Sequence, residues 1–532
     1  MIVAQAVELQ LPKIEYVSIL PTLALITGAL VILTISALVP KRMPEGFWTA
    51  ATLITAAATA VGAAFQWRSI NVAGARSAIA SAVVLDGFSM WFAVIAASTV
   101  ALFALIADGY VQREGLGGPE IYVLALLSAS GTVLMAQAND LLVLFLGLEI
   151  LSISLYILAG FHRRKIESGE AAMKYFVLGA FSSAIFLYGI ALTYGATGST
   201  RYDSIQTYLK LTPEESEAGV LVHVIENRGL VLAGMALLIV GLAFKVAAVP
   251  FHTWTPDVYQ GSPSPVTGFM AAGAKAAGFA GLIRLLVIAL EPIKADWRPA
   301  IWALAVLTLV VGSVLAVVQT DVKRMLAYSS ISHAGYVMIG LWAAGGTGGS
   351  AIDGVIGAQY YLLTYAFIVL GSFAVVSVVS GPGDGATAIA DFRGLYQRKP
   401  SLAVGFALLL AAQAGVPLTT GFWAKFAVIK AALSSPLDRG LGVALTLIAM
   451  LVTAVGAFFY LRLILTMFHA PEGMDDEHLD DAGTVAVLVR ERTALAVPVG
   501  TGIALALSLT MTIGAGLWAG PLLNFAAHIL GR

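Results

Sequence analysis

The chain has 532 residues, of which 59% are hydrophobic and only 11% are charged, whereas about 25% of the residues of a soluble globular domain are charged. This composition excludes an ordinary soluble domain, and a net charge of −1 argues against the basic surface that nucleic-acid binding needs. The sequence contains no cysteine, which excludes disulfides, thiolate metal sites and iron–sulfur clusters held by cysteine.

Long apolar runs follow one another along the whole chain. A helix that crosses a bilayer core needs about 20 apolar residues, and the chain contains about 14 such runs. Backbone groups in lipid must be hydrogen-bonded within their own segment, so the runs are predicted to be helices. The short alternating segments of an outer-membrane barrel are not seen. The runs lie near 17–39, 46–66, 86–107, 120–138, 141–160, 172–197, 229–250, 264–290, 300–319, 324–343, 352–379, 401–432, 440–468 and 494–527.

The sequence therefore predicts an all-α polytopic membrane protein. Its first residues lack the basic region and cleavage site of a signal peptide, so the first helix is expected to remain. Lysine and arginine are denser in alternate loops, for example at 163–165 and 323–324. By the positive-inside rule these loops face the cell interior, and both termini lie outside. The longest connections, 198–228 and 469–493, could each hold a short surface helix, and the acidic stretch 472–481 is predicted to be a solvated loop.

Four ionisable residues remain at membrane depth, namely Glu149, Lys245, Lys275 and Lys425. One central charge costs roughly 2.5–3.5 kcal/mol on insertion scales, so four would cost on the order of 10 kcal/mol unless they are paired or hydrated. Stability gives no reason to retain them, and charges inside a membrane mark ion or proton pathways. Lysine suits proton transfer because burial allows it to release its proton, whereas arginine stays charged.

Structural interpretations of the same residues stay open. Lys275 and Arg284 could extend from helix ends and place their charges at the membrane surface, and Glu149 could be a structural ion-pair partner. His333 lies beside hydroxyl residues in "RMLAYSSISHAGYVMIG", and histidine titrates near neutral pH. It is either a proton carrier or a hydrogen-bonded structural histidine.

Two helices are predicted to be broken inside the membrane. Val-Pro interrupts an apolar run at Pro250, five residues after Lys245, and again at Pro417, eight residues before Lys425. Proline removes a hydrogen bond of the helix, which lipid tolerates only where protein or water satisfies the freed group. Paired broken helices in two halves of a chain indicate a transport site.

The two breaks are five helices apart, and this spacing predicts two five-helix repeats, each with one broken helix. The predicted divisions are an N-terminal three-helix segment, a first repeat, a second repeat, and an interior loop with a C-terminal helix, at 1–119, 120–290, 300–468 and 469–532.

Three segments resemble the antiporter-like membrane subunits of respiratory complex I. They are "FKVAAVPFHTWTPDVYQGSPSPVTGFMAAGAKAAGF", "DVKRMLAYSSISHAGY" and "GVPLTTGFWAKF". The resemblance is strongest over 15–470 and is greatest to the N-type branch of that family. M-type members have glutamate at the position of Lys425, and L-type members usually carry a long C-terminal lateral helix, which is not expected here.

The resemblance implies that the two repeats are inverted relative to each other. It also implies that Glu149 and Lys245 form a controlling ion pair, Lys275 is the central relay and Lys425 is the exit-side residue. NADH, FMN, iron–sulfur clusters and quinone would bind to other subunits, because this chain has neither cysteines nor a Gly-x-Gly-x-x-Gly after a strand. The expected neighbours are M-type and small K/J-type subunits, in lipid of the bacterial plasma membrane.

The resemblance therefore implies a proton-translocating subunit of a NADH-quinone oxidoreductase that carries no redox centre of its own. An Mrp-type cation/proton antiporter subunit shares these motifs and remains an alternative. A solute symporter would use the same charges to bind its substrate, and it would need a richer polar pocket than this sequence indicates. Co-purifying subunits distinguish these classes.

Overall fold

The computed structural model describes residues 14–39, 43–210, 213–215, 221–223, 227–436, 438–470 and 495–528. The described chain is helical apart from loops and two short antiparallel hairpins, β1 (Arg76–Ala78) with β2 (Val83–Leu85) and β3 (Pro213–Glu215) with β4 (Leu221–His223). The all-α polytopic fold predicted from the sequence is confirmed. Positions 472–481 lie outside the described residues.

The helices have the following bounds in chain order: α1 (Leu20–Leu38), α2 (Phe47–Ala73), α3 (Gly87–Glu114), α4 (Glu120–Gln137), α5 (Leu141–Ala159), α6 (Ile166–Thr197), α7 (Tyr202–Lys210), α8 (Arg228–Lys245), α9 (Trp254–Gly261), α10 (Ser264–Phe269), α11 (Lys275–Ile283), α12 (Lys294–Val317), α13 (Val322–Ala344), α14 (Gly349–Val379), α15 (Leu395–Arg398), α16 (Pro400–Ala414), α17 (Thr420–Leu433), α18 (Arg439–Phe468), α19 (Val499–Leu517) and α20 (Ala519–His528). Helices α10 and α11 are parts of one span, Ser264–Ala289, which contains two π-helical stretches.

Twelve helices in the described residues are long and apolar enough to cross a membrane. The two remaining predicted runs form α13 and the pair α16 and α17, so fourteen runs are compatible with the structure. Hydropathy located the apolar middle of each span but missed its polar ends. Helix α2 continues to Ala73 rather than 66, and α6 begins at Ile166 rather than 172. Helix α7 confirms a short helix in the connection 198–228.

Helix α14 lies at the centre of the bundle. It packs against α3, α10, α13, α16, α17 and α19. In its most apolar 18-residue stretch 94% of the residues are buried, whereas 33% are buried in the corresponding stretches of α6 and α18. Apolar residues on the outer helices can face lipid at no cost, whereas polar groups on the inner helices need partners within the protein. The centre of the bundle is therefore where buried polar side chains must form a network.

The order of elements is compatible with the two predicted five-helix units, and the division into these units stays a prediction. The first contains α4, α5, α6, the pair α8 and α9, and the span Ser264–Ala289. The second contains α12, α13, α14, the pair α16 and α17, and α18. In each unit the fourth member is broken. The inverted relation between the units stays a prediction.

Candidate functional site

The first predicted break is present. Helix α8 ends at Lys245, and α9 begins at Trp254, so Pro250 lies in the connection. The freed backbone groups have partners within the protein. The Val249 amide donates to Thr308 Oγ1 of α12 at 3.0 Å, and Trp254 Nε1 donates to the Phe244 carbonyl at 3.1 Å. The break is thus stabilised by contacts within the protein, and it places Lys245 at a helix end that is buried.

The second predicted break lies between Ala414 at the end of α16 and Thr420 at the start of α17. Pro417 lies in this connection, and Gly415 has a φ of +92°, which glycine adopts without the strain that a Cβ would add. The Ala414 carbonyl, which the break frees from the helix, accepts a hydrogen bond from Lys425 Nζ at 3.0 Å. A lysine amine therefore takes the place of a missing backbone donor.

Lys245 lies in a cage of hydroxyl and aromatic groups. Lys245 is 4% exposed, and its Nζ donates to Ser152 Oγ at 2.8 Å and to Tyr175 OH at 3.1 Å. The same nitrogen lies 5.7 Å from the centre of the Tyr156 ring, within the range at which an aromatic face stabilises a cation. These partners can hold the amine in either charge state, because a hydroxyl both accepts and donates.

The ion pair between Glu149 and Lys245 that the resemblance implied does not form in this structure. Glu149 is only half-buried and accepts a hydrogen bond from the Ser183 hydroxyl of α6. Glu149 and Ser152 are three residues apart on α5, so they are neighbours on one helix face. The Ser152 hydroxyl, which accepts the hydrogen bond from the Lys245 amine, therefore lies on the same face of α5 as Glu149.

Lys275 does not extend to the membrane surface, because its residue is 3% exposed. Its amine donates to the hydroxyl of Ser330 on α13 at 2.6 Å and also to the Ser330 carbonyl. One turn further along α11, a Cβ at Gly278 would lie 2.6 Å from Val246 Cγ1 and 3.5 Å from Lys245 Cβ. Glycine therefore allows α11 to approach the first break closely, which brings the two lysine-bearing segments together.

Helix α13 connects Lys275 to Lys425. Ser330, His333 and Tyr336 recur every three residues and so share one helix face, over a rise of about 9 Å. Ser330 binds Lys275, and Lys425 Nζ lies 4.7 Å from the centre of the Tyr336 ring. This face therefore carries three polar side chains in the region between the two amines.

His333 lies in the middle of this face. Its Nδ1 lies 2.6 Å from the Tyr361 hydroxyl and its Nε2 lies 3.2 Å from the Tyr460 hydroxyl. His333 is 5% exposed. Both sequence-based interpretations fit this geometry. A histidine between two hydroxyls is well held, and it can also accept a proton at one ring nitrogen and release another from the second.

Arg284 is a structural ion-pair residue rather than a charge extended to the membrane surface. It is 2% exposed, and its guanidinium forms two hydrogen bonds of 2.6 Å to Asp86, at the N-terminus of α3. Its Nε donates to the Ala136 carbonyl at 2.8 Å, near the end of α4. The expectation of an extended side chain is wrong, because a carboxylate from 198 positions earlier supplies a partner in the protein.

Lys323 is also buried, although the sequence placed it among solvated loop charges. It is 0% exposed and lies 3.2 Å from Asp384, which follows α14. Burial alone would raise the pKa of Asp384, but the Lys323 ammonium and hydrogen bonds from Ser380 and Ser264 outweigh it and hold that pKa below its usual range. This pair anchors the start of α10 to the loop after α14.

Sequence reasoning missed the hydroxyl residues of the site. Ser152, Tyr175, Tyr361 and Tyr460 were not singled out, because serine and tyrosine are common in membrane helices and have no spacing that marks them. The one available signal was indirect, since a buried amine requires acceptors. Among the described residues, no group of three or more histidine, aspartate or glutamate side chains could hold a metal ion.

Residues 138–453 match the protein family described as NADH:quinone oxidoreductase/Mrp antiporter, TM. A NADH-quinone oxidoreductase subunit N 3 from Streptomyces griseus is 40% identical over 509 residues, which cover 90% of this chain and 88% of the relative. A NADH-quinone oxidoreductase subunit N from Mycobacterium tuberculosis strain H37Rv is 45% identical over 386 residues, covering 71% of this chain and 68% of the relative.

Solved structures are similar over almost the full length. A chain of respiratory complex I from Thermus thermophilus with bound Aureothin aligns with a TM-score of 0.73 at 31% identity, covering 95% of this chain and 99% of that chain. A chain of the Mrp complex from Dietzia sp. DQ12-45-1b aligns with a TM-score of 0.77 at 20% identity, covering 97% of each chain. The second similarity concerns the fold alone.

Proposed function

We propose a function on the premise that this chain belongs to the NADH:quinone oxidoreductase/Mrp antiporter family of membrane proteins. The chain is an N-type membrane subunit of a NADH-quinone oxidoreductase, as its relatives are named. It moves protons across the membrane through buried charged side chains. NADH oxidation and quinone reduction take place in partner subunits, which carry the FMN and the iron–sulfur clusters.

The arrangement of three buried lysine amines is the observation that supports this proposal. Lys245, Lys275 and Lys425 are 4%, 3% and 8% exposed, and each amine is hydrogen-bonded to hydroxyl or carbonyl oxygens. None of the three lies within ion-pair distance of a carboxylate of the described chain. An unpaired ammonium at membrane depth is costly, and a lysine avoids that cost by giving up its proton. Such amines suit proton transfer better than a fixed charge would.

The order of groups suggests a path along the membrane plane. A proton held at Lys245 passes to Lys275 across the close contact at Gly278, and then along Ser330 and His333 to Lys425. Glu149 lies at the other end, half-buried beside Ser183, where its charge favours the protonated form of Lys245. Each transfer leaves the donor amine neutral, so it can accept the next proton.

The assembly follows from the same proposal. M-type and small K/J-type membrane subunits are the neighbours, and they cover part of the apolar outer surface together with lipid. The chain lies in the bacterial plasma membrane with both termini outside. Support comes from the loop arginines and lysines at 163–165 and from the names of the relatives.

Purification through an affinity tag on this chain tests the assignment. We expect flavoprotein and iron–sulfur subunits to co-purify, and the purified complex to reduce quinone with NADH. An Mrp-type antiporter would instead purify with other membrane subunits only, and its proton transport would depend on an added monovalent cation rather than on NADH. Purification with membrane subunits only, or proton transport that depends on an added monovalent cation rather than on NADH, would overturn the proposed function.

Lys425 is expected to be required for the last transfer in the chain. Lys425→Ala removes the amine bound to the freed Ala414 carbonyl, and proton translocation per NADH oxidised should fall by roughly 100-fold or more, the loss expected when one essential proton carrier is removed. Lys425→Glu restores a titratable group of opposite charge, and it should recover part of the activity if protonation matters more than sign. Fluorescence quenching in inverted membrane vesicles measures both.

Lys430→Ala is the matched control, because Lys430 lies on the same helix and is exposed. It should leave translocation unchanged. Normal translocation in Lys425→Ala would instead show that the Lys425 amine only caps the helix break.

A further inference from the structure

Tyr175 connects the Lys245 amine to the second half of the broken helix. Its hydroxyl accepts the hydrogen bond from Lys245 Nζ at 3.1 Å. Its ring stacks on that of Trp254, the first residue of α9, with the ring centres 4.5 Å apart and the planes 11° from parallel. Tyr175 is 0% exposed, so neither contact can be exchanged for one with solvent.

Helix α9 is held against two other helices by a second contact. Asp257 of α9 lies 2.8 Å from Lys174 Nζ of α6 and 2.6 Å from an Nη atom of Arg324 of α13. Lys174 directly precedes Tyr175, so both anchor points on α6 belong to the same turn. These ion pairs border a cavity of about 470 Å³ that also reaches Asp384. The Asp257 carboxylate therefore joins α9 to both α6 and α13 beside this cavity.

The connection between α8 and α9 contains backbone in an unusual conformation. It covers residues 246–253, and Ala247 in it has a φ of +61°, a conformation that residues with a side chain adopt only at some cost. If α9 moves, Trp254 moves with it, and the Tyr175 ring loses the surface that fixes its orientation. The hydroxyl then no longer has its place next to the Lys245 amine.

We propose that Tyr175 is a positioning residue that transmits the position of α9 to the Lys245 amine. With α9 held by Asp257, Trp254 orients the phenol so that its oxygen accepts from the ammonium. Release of α9 removes this acceptor and favours the loss of the proton. The transfer step at Lys245 is thereby coupled to the conformation of the broken helix. The inference rests on the proposed function and adds a device that controls when the first amine releases its proton.

Tyr175→Phe tests the hydrogen bond, because it keeps the ring stacked on Trp254 and removes only the hydroxyl. In the assembled complex, protons translocated per NADH oxidised should fall by roughly tenfold, the size expected for one hydrogen bond to a charged group. The amount of complex and the rate of NADH oxidation with an uncoupler should stay normal. Tyr188→Phe is the matched control, since Tyr188 lies on the same helix and is 60% exposed.

Asp257→Asn tests the contact that holds α9, at a distance from Lys245. It weakens the ion pairs with Lys174 and Arg324, and it should lower the number of protons translocated per NADH oxidised. The double variant Tyr175→Phe/Asp257→Asn should be no worse than Tyr175→Phe alone, because both changes act through one link. Independent structural damage would instead make the two losses multiply.

The outcomes separate this inference from the proposed function. A normal ratio in Tyr175→Phe, with a strong loss in Lys245→Ala, overturns the role of Tyr175 and leaves the function intact. Multiplying losses in the double variant, or a normal ratio in Asp257→Asn, overturns the link to α9. Normal translocation in both Tyr175→Phe and Lys245→Ala overturns the proposed function itself.

Discussion

Lys245→Ala should remove most of the proton translocation of the complex while leaving its assembly largely intact. The amine is held by Ser152, Tyr175 and Tyr156, so its loss interrupts the path at the first carrier. Removal of an essential proton carrier is expected to slow transfer by roughly 100-fold or more. Proton uptake into inverted vesicles, driven by NADH, measures the effect against the rate of NADH oxidation.

Two further substitutions distinguish charge from packing at this position. Lys245→Arg keeps a positive charge that cannot be released, and it should also be strongly impaired. Lys245→Met keeps the length of the side chain without the amine, so it should assemble normally and translocate as poorly as alanine. If the Lys245 side chain were needed only to fill its cage, the Lys245→Met complex would translocate protons at close to the normal rate.

Lys294→Ala is a suitable control for a general effect of removing a lysine. Lys294 forms a partly exposed ion pair of 2.9 Å with Glu291, and exposed pairs contribute about 0–1 kcal/mol to stability. Translocation should stay near normal in this variant. Near-normal translocation in an assembled Lys245→Ala complex would contradict a carrier role for Lys245.

Glu149→Gln should uncouple electron transfer from proton translocation or slow both. The change removes the negative charge at nearly constant shape, so the attraction that favours the protonated Lys245 amine is lost. The charge of one proton crossing 100 mV requires about 2.3 kcal/mol, and the pathway has to supply this work through changes in such interactions. NADH oxidation and vesicle acidification, recorded together, show whether the two processes separate.

The observed geometry sharpens this expectation. Glu149 is held by Ser183 and is not in contact with the Lys245 amine, so it acts over a distance and its exact reach should matter less than its charge. Glu149→Asp should therefore retain part of the activity. If Glu149 served only as a hydrogen-bond acceptor for Ser183, glutamine would replace it and translocation would be normal.

Asp203→Asn provides the control for removing a carboxylate. Asp203 lies on α7 and pairs with Arg201 at 2.5 Å. The hydrogen bond from Arg201 holds the pKa of Asp203 below its usual range, so Asp203→Asn removes a charged carboxylate at neutral pH. Its exposed position predicts little effect on translocation.

Local sequence patterns determined the membrane fold and the broken helices. Apolar runs of sufficient length predict helices wherever they occur, because lipid leaves the backbone no other partner. Prolines near lysines marked both breaks, and in the structure the helices are interrupted by non-helical segments at 246–253 and 415–419. The same reasoning singled out the buried lysines, since a charge in an apolar run is visible without any knowledge of its neighbours.

Tertiary structure alone decided the partners of those charges. Arg284 binds Asp86 from another helix, Lys245 binds Ser152 and Tyr175 rather than Glu149, and Lys323 is buried against Asp384. Each partner lies more than 60 residues away, so no local pattern identifies it. Which hydroxyl meets which amine depends on how the helices pack, and close approaches such as the one at Gly278 set that packing. The sequence thus determined which polar groups need hydrogen-bond partners, and the packing of the helices determined which residues those partners are.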